Sequence, residues 1–269
     1  LGDIFSEFFG RGARTSTKTR QKGRNIQVDA VLTLEEAFRG IRREFSIRKY
    51  IVCDKCGGNK NEPGTKLNTC GACGGSGEIK NTQRTPFGSF TQVMTCDTCR
   101  GEGKIPEKKC SKCGGAGRVQ EIENISVEIP AGINSGEIIN LEGKGEASPA
   151  STRLGEAGAG GYGNLYVRVH IKEHPYFIRD GDNIYSEVEI SMPQAALGDS
   201  IIVKTLDIDA SLDIPGGIES GEMLRLRGKG MPHMYGASHG DLYVKIIIKT
   251  PKRLSKRAKE LLLELKREI

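Results

Sequence analysis

Four copies of one short pattern constrain this chain more than any other feature. CDKCGGNK starts at Cys53, CGACGGSG at Cys70, CDTCRGEG at Cys96 and CSKCGGAG at Cys110, and together they use all 8 cysteines. Two cysteines separated by two residues let a tight turn present both sulfurs to one ion. Eight thiolates suit two tetrahedral S4 sites, with zinc–sulfur bonds of about 2.3 Å. The glycines after each pair let backbone N–H groups approach the sulfurs and steady their charge. An iron–sulfur cluster takes the same ligands, but the symmetric pairing favours structural zinc. Few large apolar residues lie between residues 53 and 117, so metal must replace a hydrophobic core there.

The pairing of the motifs follows from what lies between them. EIKNTQRT and SFTQVMT flank a PFGS turn, which reads as a hairpin. Such a hairpin brings Cys70 and Cys73 alongside Cys96 and Cys99. Cys53, Cys56, Cys110 and Cys113 then close a second site at the root of the module. Two competing roles stand beside this one. A C-x-x-C in a βαβ context would suggest a thiol–disulfide oxidoreductase, and no such context surrounds these pairs. A zinc-ribbon nucleic-acid binder would use Lys55, Lys60, Lys66, Lys80, Arg84, Arg100 and Lys104, but acids are mixed among them and aromatics are few. The net charge of +6 is mild for 269 residues.

Self-comparison organises the rest of the chain. IPAGINSGEIINLEGKG from Ile129 matches IPGGIESGEMLRLRGKG from Ile214 at an offset of 85. GNLYVRVHIK and GDLYVKIIIK follow the two copies. NIQVDAVLTLEEAFRG from Asn25 lies over NIYSEVEISMPQAALG from Asn183 at an offset of 158. The offsets differ by 73 residues, and the cysteine segment lies in that gap. A tandem duplication whose first copy carries an inserted cysteine module accounts for both. Val28, Ala30 and Leu32 alternate with polar residues, as do Val188 and Ile190, which predicts half-buried antiparallel strands. LTLEEAF and SMPQAAL each predict one helical turn. The fold class expected is mainly β: two tandem β-sandwich-like domains, a zinc module inserted in the first, and a C-terminal helix.

That helix is predicted from RLSKRAKELLLELKREI, with Ser255 as N-cap and Leu254, Ala258, Leu261, Leu262, Leu265 and Ile269 at helical spacing. Its apolar face fits either packing on its own domain or a two-fold dimer contact. No apolar run approaches the length that spans a bilayer. The N-terminus, LGDIFSEFFGRG, lacks the pattern of a signal peptide and starts at Leu, as a fragment of a longer chain would. A cytoplasmic location is expected, where thiols stay reduced. GAGGYG at 158–163 matches a dinucleotide fingerprint, but strand-like NLYVRVHIK follows it where a helix should open, so a flexible loop is expected. His170, His174, His233 and His239 are scattered, and no Ser/His/Asp or paired-carboxylate constellation is legible; the chain reads as no enzyme.

Four C-x-x-C-x-G-x-G motifs set into the first of two repeated β-domains closely resemble the zinc-bearing class of the DnaJ cochaperone family. The likeness runs from DIFSEFFG to the C-terminal helix and includes HPYFIRDGDNIY. Two features depart from the family pattern. The first motif ends in Asn59-Lys60 where a second glycine is expected, which predicts a local loop change with the metal retained. The family's J domain and HPD signature are not among these residues, so this chain is not expected to stimulate a DnaK-type ATPase by itself. The resemblance implies a chaperone that binds unfolded client polypeptides, prevents their aggregation, passes them to a DnaK-type chaperone, holds two Zn2+ per chain and forms a homodimer. It implies a client groove in the first β-domain, onto which Ile26, Phe45, Ile47, Leu141 and Phe177 fall. It assigns dimerisation to Leu254, Ala258, Leu261, Leu262 and Leu265. It divides the chain into a linker end at 1–24, expected to be disordered, a discontinuous first β-domain at 25–52 and 118–175, the zinc module at 53–117, a second β-domain at 176–250 and the helix at 251–269.

Overall fold

The computed structural model describes residues 22–85, 88–148, 161–234 and 236–268. Contacts divide the chain into two compact units. Of the described residues, one holds those up to Val28, those of Phe45–Ile125 and those of Asn140–Tyr166; the other holds those of Asp29–Glu44, Ser126–Ile139 and from Val167 onward.

The first copy of the repeat opens with strand β1 (Ile26–Leu32), helix α1 (Leu34–Arg39) and strand β2 (Ile41–Val52). Alternation buries Ala30 and Leu32 on β1. Thr33 ends the strand by capping the helix: its hydroxyl accepts from the Glu36 N–H, and the Glu36 carboxylate accepts from the Thr33 N–H. Gly40 stops the helix at φ +72, where a Cβ would lie 2.9 Å from the Ala131 nitrogen. Ser191 and Gln194 build the same capping box for the twin helix α2 (Met192–Leu197), which Gly198 ends at φ 80. The remaining strands of the first copy are β7 (Arg118–Ile129), β8 (Ile138–Leu141) and β9 (Leu165–Ile171). They form a sheet of order β1-β9-β8 and a β2-β7 pair. The second copy consists of β10 (Ile178–Asp180), β11 (Asn183–Ser191), β12 (Asp199–Val203), β13 (Ala210–Ile214), β14 (Met223–Leu226) and β15 (Leu242–Lys249). Its sheet runs β10-β11-β15-β14, beside a β12-β13 pair.

The duplication is repeated bond by bond. Asn164 N–H donates to the Asn25 side chain as Asp241 N–H does to Asn183. Gly132 N–H reaches the Ala37 carbonyl as Gly217 reaches Ala195, and Gly136 reaches Val169 as Gly221 reaches Ile246. Even the side-chain contact from Ile171 N–H to the Ser135 hydroxyl has its twin in Ile248 and Ser220. One expectation fails. β11 and β15 pair in parallel, from Ile184↔Leu242 to Ser191↔Lys249, rather than antiparallel. Parallel neighbours need a long crossover, and α2, β12, β13 and β14 supply it. Period-two alternation sets which face is buried and carries no information on strand direction.

The cysteine module occupies the gap between β2 and β7. It contains a short pair, β3 (Leu67–Thr69) with β6 (Lys104–Pro106), and a hairpin, β4 (Glu78–Thr85) with β5 (Gly88–Thr95). The hairpin register runs from Glu78↔Thr95 to Thr85↔Gly88; residues 86–87 of the expected PFGS turn lie outside the described residues.

Most of the expected disordered linker, residues 1–21, also lies outside them. Gly23 and Arg24 are held in place: Gly23 N–H donates to the Gly161 carbonyl at 3.3 Å and the Arg24 carbonyl accepts from Glu146 N–H at 3.0 Å. Of the GAGGYG string, residues 158–160 are not described; strand β9 follows it, and no helix opens there.

The C-terminal helix α3 (Lys256–Glu268) starts after Leu254, so that leucine stands outside it. Ser255 is the N-cap expected, accepting from Ala258 N–H at 3.1 Å. No described residue of α3 is buried. Ala258 and Leu262 are half-buried, and Leu261, Leu263 and Leu265 are exposed.

Candidate metal centres

Each cysteine pair sits on a tight turn that repeats four times. After the second cysteine come two left-handed residues in a row, the first Gly57, Gly74, Arg100 or Gly114 (φ 52 to 60) and the next Gly58, Gly75, Gly101 or Gly115 (φ 84 to 91), and the turn closes on a third, Lys60, Gly77, Gly103 or Gly117. Asn59, Ser76, Glu102 and Ala116 donate their N–H groups back to the carbonyls of Cys56, Cys73, Cys99 and Cys113. The turns then embrace in twos. Cys53 N–H donates to Gly117 O and Cys110 N–H to Lys60 O, while Cys70 N–H donates to Gly103 O and Cys96 N–H to Gly77 O, all at 2.9–3.1 Å. Two sites result, with the pairing expected from the hairpin: Cys53, Cys56, Cys110 and Cys113 at the root, and Cys70, Cys73, Cys96 and Cys99 at the base of the hairpin.

The sulfurs have the spacing a zinc ion requires. Cys53 and Cys110 Sγ lie 3.9 Å apart, Cys56 and Cys113 3.8 Å, Cys70 and Cys96 3.9 Å, and Cys73 and Cys99 3.7 Å. A tetrahedron with 2.3 Å metal–sulfur bonds has edges of about 3.8 Å, whereas a disulfide needs about 2.05 Å. Backbone N–H groups of Gly77, Gly103 and Gly117 donate to the sulfurs of Cys73, Cys99 and Cys113 at 3.2–3.3 Å.

The electrostatics fit as well. Burial raises the Cys73 thiol, but the N–H groups of Gly77 and Gly75 and the neighbouring thiols outweigh it and bring it to about 6. In the root site burial likewise opposes the N–H groups of Cys113 and Lys112, which win and lower Cys110 to about 7. Burial keeps Cys70 up at about 11 and Cys56 at about 12. In the hairpin site the Cys99 N–H lowers Cys96 as well, so the fold alone favours the thiolates of Cys73 and Cys96 there and of Cys110 in the root site. The full set of four requires a divalent cation to cancel their repulsion. Zinc held by Cys53, Cys56, Cys110 and Cys113, or by Cys70, Cys73, Cys96 and Cys99, would supply that charge. All four positions are filled by protein sulfur, the arrangement of a closed structural site.

The first motif corrects an expectation. Lys60 replaces the closing glycine without a loop change: it takes φ 64 where Gly77, Gly103 and Gly117 take 74 to 76. The left-handed backbone costs a lysine about 1 kcal/mol. Lys60 offsets this through an ion pair with Glu102, the two side chains being 15% and 13% exposed.

The site geometry and the interrupted duplication point the same way as the comparison with known proteins. Residues 26–251 match the family described as DnaJ C terminal domain. The chain belongs to the DnaJ family. Among its DnaJ relatives, the protein named Chaperone protein DnaJ of Ruminiclostridium cellulolyticum is 42% identical over 268 residues, covering 98% of this chain and 69% of the relative. Those of Macrococcus caseolyticus and Exiguobacterium sibiricum are 41% and 43% identical, over 97% and 98% of this chain and 68% and 70% of the relatives. This DnaJ chain is a chaperone with two zinc sites. The relatives' names are those of chaperones and denote no enzyme. No helix among the described residues is long and apolar enough to cross a membrane.

The other expected site residues divide by burial. Ile26, Phe45 and Leu141 are half-buried; Ile47 and Phe177 are buried, and Phe177 stacks on His174 with ring centroids 4.9 Å apart. Sequence reasoning missed several polar anchors. Lys49 is 1% exposed, with its ammonium 3.0 Å from Glu123 and 2.7 Å from the Lys144 carbonyl. It follows Phe45 and Ile47 on the inward phase of β2, a signal the alternation contained. Arg179 donates to the Gly132 and Ile133 carbonyls and to Asn134 Oδ1. Three of the histidines that look scattered in sequence have acidic partners: His170 with Asp29, His174 with Glu35 and His233 with Asp182. These carboxylates are distant in sequence, so no spacing rule could reveal them.

Proposed function

We propose that the chain binds non-native polypeptides along the edge of β2 in its first β-domain, prevents their aggregation, and works as a homodimer that passes clients to a DnaK-type chaperone in the cytosol. One observation carries the client site. Among the described residues β2 pairs in its sheet with β7 only, and apart from its end, where the Tyr50 carbonyl accepts from Ala147 N–H, it leaves a strand edge for β-augmentation on which Phe45 sits half-buried. Backbone hydrogen bonds to an added strand tolerate many client sequences, while side-chain pockets give modest selectivity. We assign Ile26, Ile47 and Leu141 to the same groove, and we keep the first β-domain at 25–52 and 118–175 as its frame.

The test is suppression of aggregation of a chemically denatured protein. The parent chain should suppress it at near-stoichiometric ratios. The Phe45→Ser/Ile47→Ser variant should lose most of that effect while keeping two zinc ions. Full suppression by that variant would place the client elsewhere, and lost zinc would mark the two residues as structural. Ile47 is 7% exposed, so Phe45→Ser alone is the cleaner variant if the pair unfolds.

Dimerisation through α3 is supported by its uncovered leucines, because an amphipathic helix with no buried residue has its apolar face free for a partner. Replacing Leu262 and Leu265 by Asp is expected to halve the mass in sedimentation without changing zinc content. An unchanged mass would remove α3 from the interface.

A further inference from the structure

The two zinc sites are joined by more than chain connectivity. From the root site, Cys110 N–H bonds to Lys60 O; Asn61 then bridges Lys109, and Glu62 N–H bonds to Lys108 O. The same two segments continue with Glu107 N–H bonding to Lys66 O and the register Leu67↔Pro106 to Thr69↔Lys104, ending where Cys70 N–H meets Gly103 O in the hairpin site. A hydrogen-bonded ladder therefore runs from one S4 cluster to the other. Across it lies one ion pair. Lys60 closes the turn of the root motif, and Glu102 is the residue just before the closing glycine of the third motif, in the hairpin site. Both side chains are largely withdrawn from water, so solvent screens their attraction far less than that of a surface pair.

Both partners are placed by the turns that hold the sulfurs. Glu102 N–H bonds to the Cys99 carbonyl, so its backbone moves with a hairpin-site ligand. Lys60 accepts from Cys110 N–H and lies four residues after Cys56, so its backbone moves with the root site. Melting either turn removes one charge and leaves the other in a poorly solvated position, which penalises the intact site as well. Gly77, Gly103 and Gly117, at the equivalent closing position, have no side chain to make such a contact.

We propose that the Lys60–Glu102 pair couples the two metal sites, so that loss of zinc from the hairpin site speeds loss from the root site. The test follows zinc release from the full chain into excess chelator, read with a metallochromic indicator. Emptying the hairpin site by Cys73→Ser/Cys99→Ser should speed release from the root site about tenfold. In a Lys60→Gly background the same change should have an effect of about twofold or less. Equal acceleration in both backgrounds, or none with Lys60 present, would overturn the proposal. Should the doubly substituted chain fail to fold, Glu102→Gln in the intact protein gives an independent reading. It preserves shape and removes the charge, and it should turn one coupled release phase into two separate ones with two zinc ions still bound at the start. A release profile identical to the parent's would equally refute the coupling.

Discussion

Removing both zinc ions is expected to unfold residues 53–117 and leave the strands of the second copy intact. The buried groups of the module are almost entirely its own ligands. Cys53, Cys56 and Cys110 form one cluster with Cys113 and Val119 against it, and Cys70, Cys96 and Cys99 form another with Cys73 and Ile105. Two or three aliphatic side chains cannot order sixty-odd residues against a backbone entropy of about 1–2 kcal/mol per residue. Structural zinc contributes on the order of 10 kcal/mol per site. The second copy has its own core, with Ile184, Leu242, Val244 and Ile246 at 0–1% exposure, and no stake in the metal. Amide hydrogen exchange should therefore show protection lost in β3 to β6 and retained in β11 and β15. A metal-free protein with a protected module would show that a core of another kind holds it.

The Gly103→Ala substitution is expected to strip the hairpin site and leave one zinc ion per chain in excess metal. A Cβ at Gly103 would lie 2.3 Å from the Gly75 carbonyl oxygen, with φ at +74. Gly77 mirrors it, its Cβ falling 2.4 Å from the Gly101 oxygen. Both obstacles are backbone atoms of the facing turn, so relief means separating the two halves of the site. Strain and overlap together should cost about 3 kcal/mol or more. Gly74→Ala is the control: φ there is also positive, at +58, but nothing lies within 4 Å of the new Cβ. That variant should lose only about 1 kcal/mol and keep both ions, as Arg100 at the equivalent position of the third motif already suggests. Equal zinc loss from the two variants would mean that backbone preference, and not the collision, decides occupancy.

Much of this was readable in the residues because it rests on local spacing. C-x-x-C fixes how two sulfurs share a turn, the hairpin fixes which pairs meet, and the two repeat offsets locate the insertion. Thr33 with Glu36 and Ser191 with Gln194 announce their helices by short-range chemistry. What sequence could not supply was long-range. The parallel pairing of β11 with β15 depends on the path of a crossover, and the partners of Lys49, Arg179 and the three histidines lie far off in the chain. Lys60 is the instructive case. Residue preference argued for a changed loop, and a carboxylate forty-two residues away, at Glu102, made the unfavourable backbone tolerable.

The place where the cysteine module joins the β-domain has an architectural consequence. β2 and β7 are neighbours in one sheet, and Cys53 N–H bonds to Gly117 O just beyond their ends. At the corresponding point of the second copy, β12 and β13 pair through Val203↔Ala210, and residues 204–209 suffice to connect them. The inserted segment thus leaves and returns at adjacent points, where an ordinary turn would do. A segment with that geometry is a cassette. It can be lengthened, shortened or exchanged for a foreign domain with matching ends, because the host strands already meet and the graft adds only the slowly growing entropy of a longer loop.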